Sequence, residues 1–166
     1  MKNNQGFSLI ELILYIAITS VILVIVSQFM GGILESRVKN RTIAEVEQQG
    51  VQIMETITQT IRNAQAITSP SQGNNYSALT LDVVNVVDDP TIFDLSAGVV
   101  RIKEGTAVAI GLNNSVVEVS NLTFDNLSKT GTPGLVRVEF TIDYINNSGR
   151  QEFDWSKTFY GSASLR

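Results

Sequence analysis

The sequence predicts an α+β fold in which one long N-terminal helix packs its distal half on an antiparallel sheet of five or six strands. Three observations predict it. Leu12–Leu34 is a run of 23 residues with no charged side chain. Beyond it, apolar residues recur every three or four positions as far as Ile67, which is the period of one helix face. After a break at Ser69-Pro70-Ser71-Gln72-Gly73-Asn74-Asn75 the period falls to two, as in a strand with one buried face.

Taken in order, Met1–Gly6 is polar with one lysine and gives way abruptly to Phe7; residues 1–6 read as a leader. Residues 7–34 form the membrane half of the helix. At 1.5 Å per residue the uncharged run extends roughly 34 Å, enough to cross a hydrocarbon core of about 30 Å. Residues 35–67 form the amphipathic half, with Ile43, Val46, Gly50, Ile53, Ile57, Ile61, Ala64 and Ile67 as its stripe and Glu45, Glu47, Gln48, Gln52, Glu55, Gln59 and Arg62 as its wet face. Residues 68–166 carry the strands. Leu135–Tyr144 alternates strictly, with Val136, Val138, Phe140, Ile142 and Tyr144 on one face. Less regular runs are Leu79–Val87, Val99–Lys103, Thr106–Leu112, Val116–Phe124 and Glu152–Tyr160. The short Gly-, Pro- and Asn-rich connections between them favour a meander. The stripe is the natural cover for one face of that sheet, in preference to an isolated coiled coil.

Composition narrows the function classes. With neither histidine nor cysteine in the chain, the usual neutral-pH general base, the thiolate nucleophile and the commonest metal ligands are all missing; an enzyme is not expected. A net charge of -4 with scattered Lys and Arg gives no electrostatic footprint for nucleic acid. Asp88, Asp89 and Asp94 gather carboxylates in one loop region without the spacing of a calcium-binding loop, so an acidic turn is favoured, with calcium there as the alternative; no other cofactor is expected. Phe153 and Trp155 alternate with polar neighbours and read as core, while the Asn121–Thr123 triplet is given no role.

The informative residue is Glu11, a carboxylate just before the uncharged run. An acidic side chain inside a membrane helix opposes insertion by about 2.5 to 3.5 kcal/mol at the centre and less near an end, so it asks for a partner. If the chain is cut after Gly6, the amine of Phe7 becomes a cation that a staggered neighbour could bring to Glu11, fixing the axial step between subunits as a buried polar pair fixes register in a coiled coil.

Gly6-Phe7-Ser8-Leu9-Ile10-Glu11-Leu12-Ile13 resembles the type IV prepilin signal. The resemblance implies a pilin-like fold, cleavage between Gly6 and Phe7 by prepilin peptidase, N-methylation of Phe7, and inter-subunit pairing through Glu11. It also implies partners: other pilin or pseudopilin subunits, an inner-membrane assembly platform, and lipid around a single-pass helix in the cytoplasmic membrane with the C-terminal domain outside. The helix, the strands and the ending Thr158–Arg166 look similar to minor pilins and to J-type minor pseudopilins of type II secretion systems. A minor subunit is favoured over a major one because the membrane helix lacks proline and no disulfide loop can form; Gly31-Gly32 could loosen the helix instead.

Two other readings compete. A cleavable secretory signal finds no convincing site in Ser27-Gln28-Phe29-Met30. A plain single-pass anchor bearing an adhesin or sensor domain is favoured by Arg37, Lys39 and Arg41 following the span, a bias that would put the C-terminal side in the cytoplasm. That bias is small and diluted by Glu35, and the signal motif outweighs it.

Overall fold

The computed structural model describes residues 8–166. The chain divides into two units, one ending at Asn40 and one comprising Arg41–Arg166. Helix α1, Leu9–Asn63, supplies all of the regular structure described in the first unit and the beginning of the second. In the first unit its side chains are exposed, save for the half-buried Glu11 and Val38. Its most apolar stretch is long enough to cross a membrane, and none of that stretch is buried. The helix runs on through Gly31-Gly32, where an added Cβ would meet nothing within 4 Å.

In the second unit the stripe is buried from Val46 to Ile61, while Ile43 at its start is half-buried and its neighbour Thr42 is covered instead. Val46, Ile53, Ile57 and Ile61 are fully inaccessible, and Thr42, Gln49 and Gly50 join them. The helix ends at Asn63, not at Ile67: Ala64–Ser69 is strand β1, antiparallel to β3, Leu79–Val83, with Ala64 opposite Val83 and Ile67 opposite Leu81. A spacing of three between Ala64 and Ile67 continues the helical pattern on paper. Sheet hydrogen bonds take these residues instead, helped by Pro70, which disfavours helical geometry in the residue before it.

The strands form two sheets rather than one. The first has the order β1-β3-β4-β5-β6, where β4 is Thr91–Ser96, β5 Val99–Glu104 and β6 Ile110–Gly111. The second has the order β2-β7-β8-β9, where β2 is Asn75–Tyr76, β7 Val117–Asn126, β8 Leu135–Tyr144 and β9 Ser156–Ser164. All pairings are antiparallel, and within each sheet the successive strands β3 to β6 and β7 to β9 make the expected meander.

Several strands depart from their sequence limits for local reasons. The run Leu79–Val87 stops at Val83 because Asn85 organises a turn, its Oδ1 accepting from the Val87 amide at 3.2 Å and its carbonyl from that of Asp88 at 3.0 Å. Thr106–Leu112 shrinks to Ile110–Gly111 because the preceding turn, with Gly105 at φ +50, leaves Val108 in solvent. The last strand begins at Ser156; Phe153 lies in a 3-10 turn, Gln151–Phe153, and stacks on Tyr144 at 5.9 Å. Trp155 precedes β9 and packs partly buried against the core. Asn121, at φ +53, sits at the irregularity in the β7–β8 register. Asparagine tolerates that left-handed conformation well.

The core of the second unit joins the helix stripe to Leu79, Leu81, Phe93 and Val100 of the first sheet and Phe124, Val136, Val138, Phe140 and Ile142 of the second, all fully buried. Gly50 allows the closest approach: a Cβ there would lie 2.1 Å from the ring of Phe159 on β9, and that ring is stacked on Phe140 at 5.5 Å. Stacked on its cross-strand neighbour, the ring cannot move aside freely. Gly50→Ala is therefore expected to destabilise the unit by about 1–3 kcal/mol, the usual range for overpacking, seen as a lower melting temperature of the detergent-solubilised protein. An unchanged melting temperature would mean that the two rings shift together.

Candidate functional site: the N-terminal helix and its carboxylate

Gly6 and Phe7, the residues of the expected cut and methylation, lie outside the described residues. Glu11 lies in the first turn of α1, where the unpaired backbone N–H groups of a helix start favour negative charge. It is the one half-buried side chain in the stretch from Ser8 to Arg37, whose other described residues are exposed. One turn on, the hydroxyl of Tyr15 donates to Glu11 Oε1 at 3.3 Å. Tyr15 was not singled out by sequence reading. The signal that could have found it is the i, i+4 spacing, which places two side chains beside each other on a helix.

Three hydroxyls in and just beyond the apolar run bond back to their own helix. Thr19 Oγ1 donates to the Tyr15 carbonyl at 2.7 Å, Ser20 Oγ to that of Ala17 at 2.8 Å, and Ser36 Oγ to that of Gly32 at 2.9 Å. Such back-bonding removes the cost of placing a hydroxyl in lipid. Around them Leu9, Ile10, Ile13, Ile16, Leu23 and Phe29 are all more than half exposed. An apolar surface of this extent is unsuited to water and suited either to lipid tails or to other helices. Arg37, Lys39 and Arg41 follow it and are exposed.

The second unit holds its own polar anchors. Lys157 of β9 pairs with Glu47 of α1 at 2.7 Å, and Asn114, in the turn before β7, donates to Glu45 at 2.6 Å while its amide reaches Gln49 Oε1 at 3.3 Å. These tie the strands to the wet shoulder of the helix that the stripe leaves open. The three acidic residues considered for calcium are directed to separate partners. Asp88 accepts from Asn85 at 2.6 Å, Asp89 from the Val83 amide at 3.4 Å, and Asp94 accepts both arms of Arg101 at 2.8 Å. Those hydrogen bonds raise the proton affinity of the Arg101 guanidinium above its ordinary value, against a smaller lowering by desolvation. Among the described residues no group of three or more His, Cys, Asp or Glu side chains is placed to hold a metal.

Residues 1–27 match the family model described as the prokaryotic N-terminal methylation motif. No curated protein and no solved structure matches the chain. The matched segment covers the expected leader and cut, Glu11 and Tyr15, and stops inside the apolar run.

Proposed function

We propose that this chain, whose residues 1–27 match the prokaryotic N-terminal methylation motif, is a type IV pilin-like protein and a structural minor subunit of a type IV pilus or type II secretion pseudopilus. Prepilin peptidase cuts it after Gly6, Phe7 is methylated, and α1 carries it into the filament. The observation that supports this best is the coincidence of the motif with a 55-residue helix whose first part is apolar, exposed and marked by one carboxylate in its opening turn. No catalytic residue is assigned; its work is assembly.

In this reading the processed subunit waits in the cytoplasmic membrane with Arg41–Arg166 on the outer side, and the assembly platform extracts it. Lipid tails are as apolar as leucine, so exchanging them for neighbouring helices supplies little hydrophobic gain. Close packing and the pairing of Glu11 with the Phe7 amine of a neighbour give order, and an external motor supplies the work. The runner-up reading, a plain anchor bearing an adhesin or sensor domain, draws on the basic side chains Arg37, Lys39 and Arg41 that follow the span. It keeps Met1–Gly6 in the mature protein.

Intact mass of the membrane-extracted protein separates the two. The expected result, in cells that possess the peptidase, is loss of the six leader residues and gain of one methyl group. A full-length mass in those cells would overturn the filament reading in favour of the anchor.

A further inference from the structure

We infer that Tyr15 is the positioning residue for the Glu11 carboxylate, holding Oε1 on the lipid-embedded helix and leaving Oε2 for the amine of an incoming neighbour; this rests on the assembly reading given above. The geometry is specific to this pair. Thr19, Ser20 and Ser36 spend their hydroxyls on backbone carbonyls, whereas the Tyr15 hydroxyl reaches a side chain, Glu11 Oε1 at 3.3 Å. No other described residue donates a hydrogen bond to Glu11 or pairs with it as an ion.

The chemistry of a phenol suits holding rather than replacing. A carboxylate has two oxygens and about four acceptor positions, of which Tyr15 takes one. A phenol hydroxyl donates a hydrogen bond without bringing a positive charge. It therefore lessens the loss of hydration on entering lipid without cancelling the negative charge. A carboxylate held this way keeps its demand for a cation, and its rotamer is fixed before the cation arrives. The tyrosine ring meanwhile is half exposed, as suits an aromatic body against lipid with a polar tip turned to a partner.

Two measurements on the full chain test the inference. In phospholipid vesicles, with tyrosine labelled at Cζ, the Tyr15 resonance is the one of four lost in Tyr15→Phe, and it is expected to move in Glu11→Ala. A Tyr15 signal indifferent to Glu11 overturns the inference. In cells with the assembly machinery, the filament-to-membrane ratio of Tyr15→Phe is expected to fall about tenfold, the worth of one hydrogen bond to a charged group. Tyr15→Gln, which restores a donor, is expected to recover most of it. An unchanged ratio, or a raised one showing that Tyr15 competes with the amine, also overturns it. If the unsubstituted chain is neither cut nor incorporated, the assembly reading has failed, and the vesicle measurement still decides the bond on its own.

Discussion

Phe140→Ala is expected to destabilise the second unit by about 3–5 kcal/mol, the range for truncating a buried aromatic. Phe140 is fully inaccessible and stacked on Phe159, and Phe159 closes over Gly50 of α1. Its removal leaves a cavity in the core and takes away the ring stacked on Phe159, so the loss has both a transfer and a cavity part. For a unit of this size the melting temperature should fall by roughly 10–20 °C. The single tryptophan, Trp155, packs against the same core and serves as the reporter. Val86→Ala, at a site 86% exposed, is the control and should change stability by no more than about 0.5 kcal/mol. A fall of only a few degrees for Phe140→Ala would mean that Phe159 and its neighbours collapse into the space, and that the helix contact at Gly50 does not depend on this ring.

How much of this architecture could be read from the residues depended on whether their pattern had one explanation. The strand Leu135–Tyr144 has the limits its alternation implies, because Val136, Val138, Phe140 and Ile142 all point to one covered face. The helix stripe from Val46 to Ile61 is likewise buried where its period puts it. The end of the helix was ambiguous: Ala64 and Ile67 suit one more helical turn as well as a strand, and only pairing with Leu79–Val83 decides. Strand Thr91–Ser96 was hidden behind Asp88-Asp89-Pro90, a turn signal whose right edge is abrupt. Two sheets rather than one is a matter of long-range pairing, with Asn75–Tyr76 joining Val117–Asn126 across some fifty residues, and no local period carries that information. Gly50 was legible as a member of the stripe, but the reason it must be small is an aromatic ring on the last strand. At the N-terminus the carboxylate stood out because a charge in an apolar run is rare. Its phenolic neighbour did not, because tyrosine in such a run passes for one more apolar residue.

Glu11→Ala is expected to leave the second unit intact and to abolish incorporation into filaments. The second unit begins at Arg41, and none of its buried residues lies on the same helical turn as Glu11, so the Trp155-reported melting temperature should not change. The membrane helix should insert at least as well, since removing a carboxylate lowers the cost of entering lipid. What is lost is the only acidic group in the opening turns of α1, and with it the pairing proposed to order one helix against the next. In a site shielded from water, leaving a partner charge uncompensated is worth about 3–5 kcal/mol, or two to four orders of magnitude in the filament-to-membrane ratio. Glu11→Gln separates charge from hydrogen bonding: it can still accept from Tyr15 but cannot neutralise an amine, and it should assemble nearly as poorly as alanine. Glutamine assembling like glutamate would show that the carboxylate acts as a hydrogen-bond acceptor and that no ion pair sets the step. Normal assembly of the alanine variant would remove Glu11 from the mechanism, leaving the register of the helices to their apolar packing alone.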